Sequence, residues 1–380
     1  MAKIKKIDTD RIKKMLQGKI NFDKRSYTDQ FSLQTTEFWN QVFVDGERRG
    51  REYFDWYYRN NPAGLAEMYV ALSETSQLVG QYILVPSKMK IDGRECLGAL
   101  SVNTITHPDY RGWGIFFVLA AEAYRDRSNN HLDVIFGIPN TKNYLNTLNA
   151  GFKNIECLPI FVKINRTPKS LFEPLKKKVP FLGNLLALPF LNFLWKIIFF
   201  AFPFFSRGKI KIKEIGCADK RFDLLWEKVS DRHRNICIRD REYVSWRFFK
   251  NPNVEYVVLT AERDGGELKG YVVLLETYRG VDKIGVIVDI LAEDDNIYSR
   301  LIKASLKYFK MTKVAYVMAL SNKFSKNNVI YNEFGFRMFP PKLQRSPVRF
   351  MFMKFSDEMD ESAILNLEDW YLTFADFDPY

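Results

Sequence analysis

The chain is poor in the side chains that build metal sites and disulfide frameworks. Its 380 residues include three histidines and four widely scattered cysteines, and no pair has the spacing of a metal-ligating motif. We therefore predict no metal site. The first fourteen residues are charged and lack the apolar stretch of a signal peptide, so we expect a cytoplasmic, reducing location.

Acidic residues are scarce in one segment, and this shortage explains most of the net charge of +12. Between Lys163 and Lys213 there are eleven lysines and arginines but a single acid, Glu173. The same segment is the most apolar of the chain, with nine aromatic residues in 179–205. A basic and apolar segment favours a membrane surface over nucleic acid, so we expect no nucleic-acid partner.

The apolar stretch 179–205 is long enough to span a bilayer, but Pro189 and Lys196 interrupt it and both of its flanks are basic. A span would also place the two halves of the chain on opposite sides of the membrane. We predict that residues 166–213 form a helical insert that contacts a membrane, peripherally and at its inner face, through 179–205. The alternative is a helical pair buried against the protein, or a contact between copies.

An internal repeat organises the rest of the chain. Arg51-Glu52-Tyr53, Trp56 and Asn61-Pro62 recur 190 residues later as Arg241-Glu242-Tyr243, Trp246 and Asn251-Pro252. We predict two copies of one fold, at 25–165 and 214–356, followed by an aromatic and acidic C-terminal segment at 357–380. Each copy alternates β-rich runs with a crossover helix, which predicts an α/β (α+β) fold of two tandem mixed-sheet domains.

The sharpest local motif is the loop Arg111-Gly112-Trp113-Gly114, between a predicted strand and a predicted helix. Glycines allow the backbone to approach a ligand closely, and the helix N-terminus and the arginine add positive charge. These features fit a pyrophosphate. The alternative is an ordinary tight turn from a strand to a helix.

The stretch from Thr104 to Ile115 resembles the coenzyme-A-binding segment of the GNAT superfamily of acyltransferases. Arg111 and Gly114 match the first and fourth positions of the pattern R/Q-x-x-G-x-G/A, and Phe116 stands where a small residue is usual. Downstream, Gly137-Ile138-Pro139-Asn140, Asn143-Tyr144 and Gly151-Phe152 are also similar. The resemblance covers the whole first copy and implies acetyl-CoA (coenzyme A) as cofactor.

By this resemblance, one strand pairs with the pantetheine arm, the loop holds the pyrophosphate, and two asparagines lie beside the arm. The residues implied are Thr104, Ile105, Thr106, Arg111, Gly112, Trp113, Gly114, Ile115, Phe116, Asn140 and Asn143. The alternative for Asn140 and Asn143 is turn formation and helix capping.

The catalytic groups are harder to identify, because the strand before the loop contains no carboxylate. Tyr144 and His107 are our candidates; packing of the tyrosine and support of the turn by the histidine are the alternatives. Thr147 occupies the position where the family usually has a tyrosine acid. In the C-terminal segment, Asp376, Asp378 and the carboxylate of Tyr380 are candidates for binding an ammonium group, and an aromatic strap is the alternative.

The second copy has Glu293-Asp294-Asp295 where the first has its glycine loop, so we expect one cofactor per chain. The resemblance implies an N-acetyltransferase that acts on a primary amine. By similarity to tandem GNAT proteins of that kind, the acceptor would be an amino sugar in surface polysaccharide or glycolipid biosynthesis. The alternatives are a Fem-like aminoacyl transferase and a non-catalytic, membrane-associated acyl-CoA-binding scaffold.

Overall fold

The computed structural model describes residues 7–43, 48–126, 132–166, 168, 210–339, 344, 346–356 and 359–377. The predicted membrane contact at 179–205, Asp378 and Tyr380 therefore lie outside the described residues. Within the described ranges, no helix has the length and apolar character needed to cross a bilayer.

The chain folds into strands and helices whose order repeats in the two halves. The strands are β1 (Ile20–Arg25), β2 (Glu67–Ser73), β3 (Leu78–Ile91), β4 (Arg94–Thr106), β5 (Val134–Gly137), β6 (Lys153–Leu158), β7 (Ile160–Ile164), β8 (Ile210–Ile215), β9 (Ile236–Cys237), β10 (Val257–Arg263), β11 (Leu268–Arg279), β12 (Asp282–Ala292), β13 (Tyr316–Leu320), β14 (Arg337–Phe339) and β15 (Val348–Lys354). The α-helices are α1 (Thr9–Leu16), α2 (Asp29–Val42), α3 (Arg51–Phe54), α4 (Ile115–Asp126), α5 (Tyr144–Asn149), α6 (Arg221–Val229), α7 (Arg241–Val244), α8 (Asp295–Met311), α9 (Asn327–Glu333) and α10 (Glu361–Leu365).

Two mixed sheets form the core, and they confirm the predicted mixed α/β class. The first has the order β1-β2-β3-β4-β5-β15-β6, with β9 beside β3, and the second has the order β14-β7-β13-β12-β11-β10-β8. The pairs β4–β5 and β12–β13 are parallel. Parallel neighbours require a crossover connection, and α4 and α8 provide it.

The two halves exchange one strand each. β7 follows β6 directly in the chain but lies in the second sheet, between β14 and β13. β15 comes from the end of the second half but lies in the first sheet, between β5 and β6. The predicted units 25–165 and 214–356 each therefore contribute a strand to the sheet of the other, so neither sheet is complete without both parts of the chain.

The aromatic repeats form the contact between the halves. α3 and α7 each continue into a π-helical turn, Asp55–Arg59 and Ser245–Phe249. These turns bring Trp56 against Trp246, with ring centroids 5.2 Å apart and planes inclined by 23°. Both tryptophans are buried within one large cluster that includes residues of both halves. The repeated motif thus packs against its own counterpart.

Candidate functional site

A wedge opens where β4 and β5 separate. The two strands pair from Gly98–Val134 to Leu100–Phe136, after which β5 ends at Gly137 while β4 continues. Gly137 lies at the point of separation, and a Cβ there would be 3.2 Å from the carbonyl oxygen of Ser101. Among the described strands, residues 101–106 pair with β3 alone, so their other edge is available to a ligand.

The wedge forms a cleft with an empty volume of about 1380 Å³, which we call the β4–β5 cleft. We call the end of the cleft near Ser101 and Gly137, where the two strands separate, its inner end. Aromatic side chains of α2 and of the C-terminal segment line the cleft there. Its lining includes five of the predicted site residues. They are Thr104, Ile105, Phe116, Asn140 and Asn143.

A β-bulge reshapes β4 inside this cleft. The register moves from Gln81–Ile105 to Ile83–Val102, so β4 carries one more residue than β3. Asn103, within the bulge, has a φ of +47°. Its side chain donates to the hydroxyl of Tyr58 at 2.7 Å, and its backbone carbonyl accepts from the side-chain amide of Gln81 at 3.0 Å. A bulge redirects backbone groups out of the ladder, here toward the cleft.

Asn103 is not among the site residues that the sequence predicted. Asparagine is the residue after glycine that most readily adopts positive φ, so a lone asparagine inside a β-rich run was the available signal. The signal is weak, because an asparagine can also end a strand.

The glycine loop has the conformation that its residues predict. Gly112 and Gly114 have φ values of +84° and +80°. A Cβ on Gly112 would meet nothing within 4 Å, whereas one on Gly114 would lie 3.0 Å from Ile12 of α1. Gly112 therefore leaves open space on the outer side of the loop, and Gly114 also permits the packing of α1.

The backbone of this loop presents donors. The amide groups of residues 112–116 donate to no acceptor within the described part of the chain. They precede or begin α4, so the positive end of the helix dipole lies behind them. Arg111 is exposed, and its Nε donates to the carbonyl of Thr106 at 3.3 Å.

The other predicted site residues do not line the cleft. The residues outside the lining are Thr106, His107, Arg111, Gly112, Trp113, Gly114, Ile115 and Tyr144. Those from 111 to 115 belong to the loop at the outer end of the cleft. Ile115 is buried in the core beneath α4, where its side chain packs instead of meeting a ligand.

His107 supports the turn. Its Nδ1 accepts from the backbone amide of Asp109 at 3.4 Å, and its ring packs edge-on against Tyr110. Its own amide donates to the carbonyl of Val79, which anchors the end of β4. These contacts match the structural alternative for His107.

The segment after β5 is a turn held by asparagine. Asn140 Oδ1 accepts from the amide of Asn143 at 2.9 Å, and Asn143 Oδ1 accepts from Asn146. Tyr144 packs against the guanidinium of Arg349, 4.5 Å from its ring centroid. Thr147, one helical turn further along, lines the cleft.

A chain of hydroxyl groups lies at the inner end of the cleft. Ser101 donates to the hydroxyl of Tyr82 at 3.0 Å, and Tyr82 is 3.1 Å from the hydroxyl of Tyr124. Burial raises the pKa of Tyr82 and raises that of Tyr124 further. These phenols therefore stay protonated at neutral pH and can donate hydrogen bonds.

Residues 366–377, which we call the C-terminal strap, connect the two halves. Phe374 and Phe377 line the β4–β5 cleft. Asp376 is completely buried and pairs with Arg239 at 2.8 Å, so its carboxylate is not available to an ammonium group in this arrangement. Burial raises the pKa of Asp376.

The corresponding wedge of the second sheet is filled by the strap. β12 and β13 pair from Gly285–Val317 to Ile287–Ala319, and beyond this point the strap lies between them. Asn322, just after β13, donates to the carbonyl of Trp370 at 2.8 Å. On the other side, the hydroxyl of Thr373 donates to Asp289 at 2.8 Å.

The acidic loop of the second half is also satisfied internally. Asp294 caps α8 by accepting from the amide of Ile297 at 2.8 Å, and Glu293 pairs with Lys269 at 2.8 Å. The helix N-terminus that would bind a phosphate thus already has a carboxylate.

Comparison with known protein families gives a match within the first half of the chain. Residues 23–151 match the family profile described as an Acetyltransferase (GNAT) domain. This match confirms the predicted acyltransferase class and, with it, an acyl-CoA cofactor. No curated protein matches the chain in sequence.

Solved structures with the same fold cover almost the whole chain. A conserved protein of unknown function from Enterococcus faecalis V583, a probable N-acyltransferase, superposes with a TM-score of 0.60 at 12% identity, over 88% of this chain and 73% of that one. A GCN5-related N-acetyltransferase from Anabaena variabilis ATCC 29413 gives a TM-score of 0.60 at 12% identity, over 87% and 72%. Saccharomyces cerevisiae N-myristoyltransferase with bound myristoyl-CoA gives 0.54 at 12% identity, over 87% and 82%.

Proposed function

We propose that the chain is an acyl-CoA-dependent N-acyltransferase that transfers an acetyl group to a primary amine, with one donor bound in the β4–β5 cleft of the first half. The observation that carries the proposal is the wedge between β4 and β5, because it combines an unpaired strand edge, a bulge and a loop of free amides. The three features follow one another along one path, as a long donor with a diphosphate at one end requires.

The residues present fit such a donor. The amides of residues 112–116 and the side chain of Arg111 would hold the diphosphate, since they supply donors and positive charge at a helix N-terminus. The free edge of β4 at Thr104–Thr106 would hydrogen-bond the pantetheine amides. When bound, acyl-CoA supplies an activated thioester for attack by the amine.

The chain's own contribution to the chemistry is positioning and backbone hydrogen bonding. The bulge at Asn103 directs peptide groups toward the inner end of the cleft, where a carbonyl that becomes negatively charged would be stabilised. The hydroxyls of Ser101 and Tyr82 lie at the same end, where they would stabilise the leaving thiolate by hydrogen bonding, and the thiolate would take up the proton that the attacking amine loses. We favour these groups over His107 and Tyr144 as contributors to the chemistry. His107 supports the turn, and Tyr144 packs against Arg349.

We also propose that the two halves arose as a tandem GNAT repeat whose second copy has lost its donor site. Three observations support this proposal. They are the sequence motifs that recur at an offset of 190, the parallel strand pair in each sheet, and the π-helical turn in each half. In the second copy, the strap occupies the wedge and Asp294 caps the helix.

Isothermal calorimetry with acetyl-CoA tests the donor site. We expect one site per chain; two sites, or none, would contradict the proposal. Turnover with a panel of primary amines, including amino sugars as the acceptor class favoured by the sequence, then separates an enzyme from a binding scaffold. The proposed membrane contact is tested by flotation with anionic liposomes, with and without residues 179–205.

A further inference from the structure

A second cavity lies on the other side of the reaction centre. It is a narrow cavity between the two π-helical turns and the C-terminal strap; we call it the Arg247 cavity. It shares two lining residues, Leu100 and Phe377, with the β4–β5 cleft. Its lining also includes Lys88, which is exposed. The two shared residues form a wall between the cavity and the inner end of the cleft, and Lys88 lies on the exposed side of the cavity.

Arg247 lines this cavity and is 2% exposed. Its Nη2 donates to the carbonyl of Phe377 at 2.8 Å and its Nε donates to the carbonyl of Ala375 at 3.3 Å. Its buried Nη1 has no hydrogen-bond partner among the described residues. Within the same described part of the chain, no carboxylate forms an ion pair with this guanidinium.

A buried cation without a counter-charge is unfavourable, because the protein replaces little of the hydration that the charge loses. Arg239 shows the usual solution in this same molecule, since it is fully buried and pairs with both Asp289 and Asp376. Arg247 is almost equally buried, and the hydrogen-bond partners of its guanidinium among the described residues are neutral carbonyl groups. Its unsatisfied Nη1 therefore indicates that an anionic oxygen belongs in the cavity.

The internal repeat strengthens this argument. The residue 190 positions before Arg247 is Tyr57, which lines the same cavity and whose ring stacks on Trp246 at 6.1 Å. An aromatic side chain is thus sufficient for packing at this point of the fold. The second half carries a guanidinium here instead, and π-helical turns often occur at functional sites.

We infer that the Arg247 cavity is the acceptor site and that Arg247 binds a carboxylate of the amine substrate. A guanidinium suits this role because its fixed donors match the two oxygens of a carboxylate. The substrate class is therefore an amine that also carries a carboxylate. This inference rests on the proposed function, since it takes the β4–β5 cleft as the donor site.

The binding test uses hexanoate and hexanamide, which have the same shape and differ in charge. Melting temperatures are measured at pH 7 for the unmodified chain, Arg247→Met, Arg247→Lys and the control Arg241→Met, whose arginine side chain is 41% accessible. We expect hexanoate at 20 mM to raise the melting temperature of the unmodified chain and of the control by at least 2 °C, because a ligand that binds only the folded state stabilises it. We expect no rise for Arg247→Met, a partial rise for Arg247→Lys, and no effect of hexanamide.

No rise in the unmodified chain, or an equal rise in Arg247→Met, overturns the inference. A variant that combines Asp378→Asn with two glycines added after Tyr380 tests whether residues 378–380 supply the anion, because it removes the side-chain carboxylate and displaces the terminal one. If hexanoate stabilises this variant and not the unmodified chain, the cavity is an internal ion-pair site and the inference is wrong.

The kinetic test uses pairs of amines that differ by one carboxylate, such as 6-aminohexanoate and hexylamine, or phenylalanine and phenethylamine, with saturating acetyl-CoA. We expect kcat/KM to be at least tenfold higher for the carboxylate member. Arg247→Met should remove this preference by raising KM, and calorimetry should give an unchanged Kd for acetyl-CoA. If the unmodified chain does not bind acetyl-CoA, the proposed function is wrong. The hexanoate test does not use acetyl-CoA, so it tests the carboxylate site at Arg247 independently of the proposed function.

Discussion

Trp56 and Trp246 donate hydrogen bonds to each other's backbone. The indole Nε1 of Trp56 is 2.8 Å from the carbonyl oxygen of Trp246, and the Nε1 of Trp246 is 2.9 Å from the carbonyl oxygen of Trp56. The two residues are 190 positions apart, the offset of the sequence repeat. Equivalent residues that bond reciprocally must lie about a local twofold axis, so the contact between the halves has the symmetry of a dimer within one chain.

This reciprocity predicts equal costs for two substitutions. Trp56→Phe removes one indole donor and leaves the buried carbonyl of Trp246 without its partner, and Trp246→Phe does the reverse. We expect each change to lower the free energy of unfolding by about 1–3 kcal/mol. Urea denaturation measures both. A cost confined to one of the two variants would show that the contact is not symmetric in energy.

The sequence predicted this contact only in part. The repeats of Trp56 and Trp246 predicted two similar units, and their aromatic character indicated burial. The exchange of β7 and β15 between the sheets was not predictable, because a strand's own residues specify that it pairs and not which distant edge it joins. Ile160–Ile164 has an equally suitable pattern for either sheet.

The glycine loop gives a prediction with a closely matched control. Gly112 and Gly93 have φ values of +84° and +78°, and a Cβ at either would meet nothing within 4 Å. Alanine at either position therefore costs a similar amount of backbone strain, about 1–2 kcal/mol. Since Gly112 alone belongs to the loop of free amides, we expect Gly112→Ala to weaken acetyl-CoA binding roughly tenfold or more, which is about 1.4 kcal/mol.

Calorimetry with acetyl-CoA measures this difference. Gly93→Ala should bind acetyl-CoA as the unmodified chain does, while both variants melt at similarly lowered temperatures. Equal affinities in the two variants would show that the loop does not hold the donor.

The bulge residue Asn103 gives a prediction about turnover. Asn103→Gly can keep the φ of +47°, whereas Asn103→Val cannot adopt it without strain and would draw the bulge back toward a regular strand. We expect Asn103→Val to reduce kcat roughly 100-fold, the typical loss when one donor to a developing oxyanion is displaced. Asn103→Gly should retain most of the activity.

The control is Ser76, which has a φ of +61° in the turn between β2 and β3. Ser76→Val introduces the same type of strain away from the cleft, so stability should fall while kcat stays constant. If Ser76→Val and Asn103→Val lose the same fraction of kcat, strain rather than the bulge explains the loss.

The second wedge shows a further limit of the sequence. Glu293 and Asp294 predicted the loss of a phosphate site, and their roles as an ion-pair partner and a helix cap agree with it. The occupation of that wedge by the strap could not be read from the sequence, because it depends on contacts between residues that are far apart, such as Asn322 and Trp370. The aromatic composition of the C-terminal segment was compatible with a strap, but it did not predict that the strap would enter the second wedge.

Acid should destabilise the fold through His233. Burial, and secondarily the charge of Arg239, lower the pKa of His233 to about 4, compared with 6.5 for an unperturbed histidine. Between these values the unfolded chain binds the proton and the folded chain does not, so the free energy of unfolding falls as the pH is lowered from 6.5 to 4. The loss attributable to this residue is at most about 3 kcal/mol.

Urea denaturation at several pH values measures this loss. His233→Gln cannot be protonated, so its free energy of unfolding should vary less with pH in this window than that of the unmodified chain. Parallel pH profiles for the two proteins would show that other groups cause the acid sensitivity.

The ion pairs of Arg239 should make it far more sensitive to substitution than its neighbour Arg234. Arg239 is fully buried between Asp289 and Asp376, so Arg239→Met leaves two buried carboxylates without a cation. We expect a loss of about 3–5 kcal/mol in the free energy of unfolding. The ion pairs of Arg234 are partly exposed, with 49% of its own side chain accessible, so solvent screens them and Arg234→Met should cost far less stability than Arg239→Met.

The same substitution tests what the strap does for the site. Asp376 is tied to Arg239, and Phe377, the next residue, separates the β4–β5 cleft from the Arg247 cavity. If the ion pair fixes the strap, Arg239→Met should increase hydrogen exchange in residues 370–377 and raise KM for the amine more than Kd for acetyl-CoA. If the KM for the amine is unchanged in a folded Arg239→Met protein, the ion pair of Arg239 stabilises the strap but is not needed for acceptor binding. The contact between Arg247 and the carbonyl of Phe377 would then be sufficient to hold Phe377 in place.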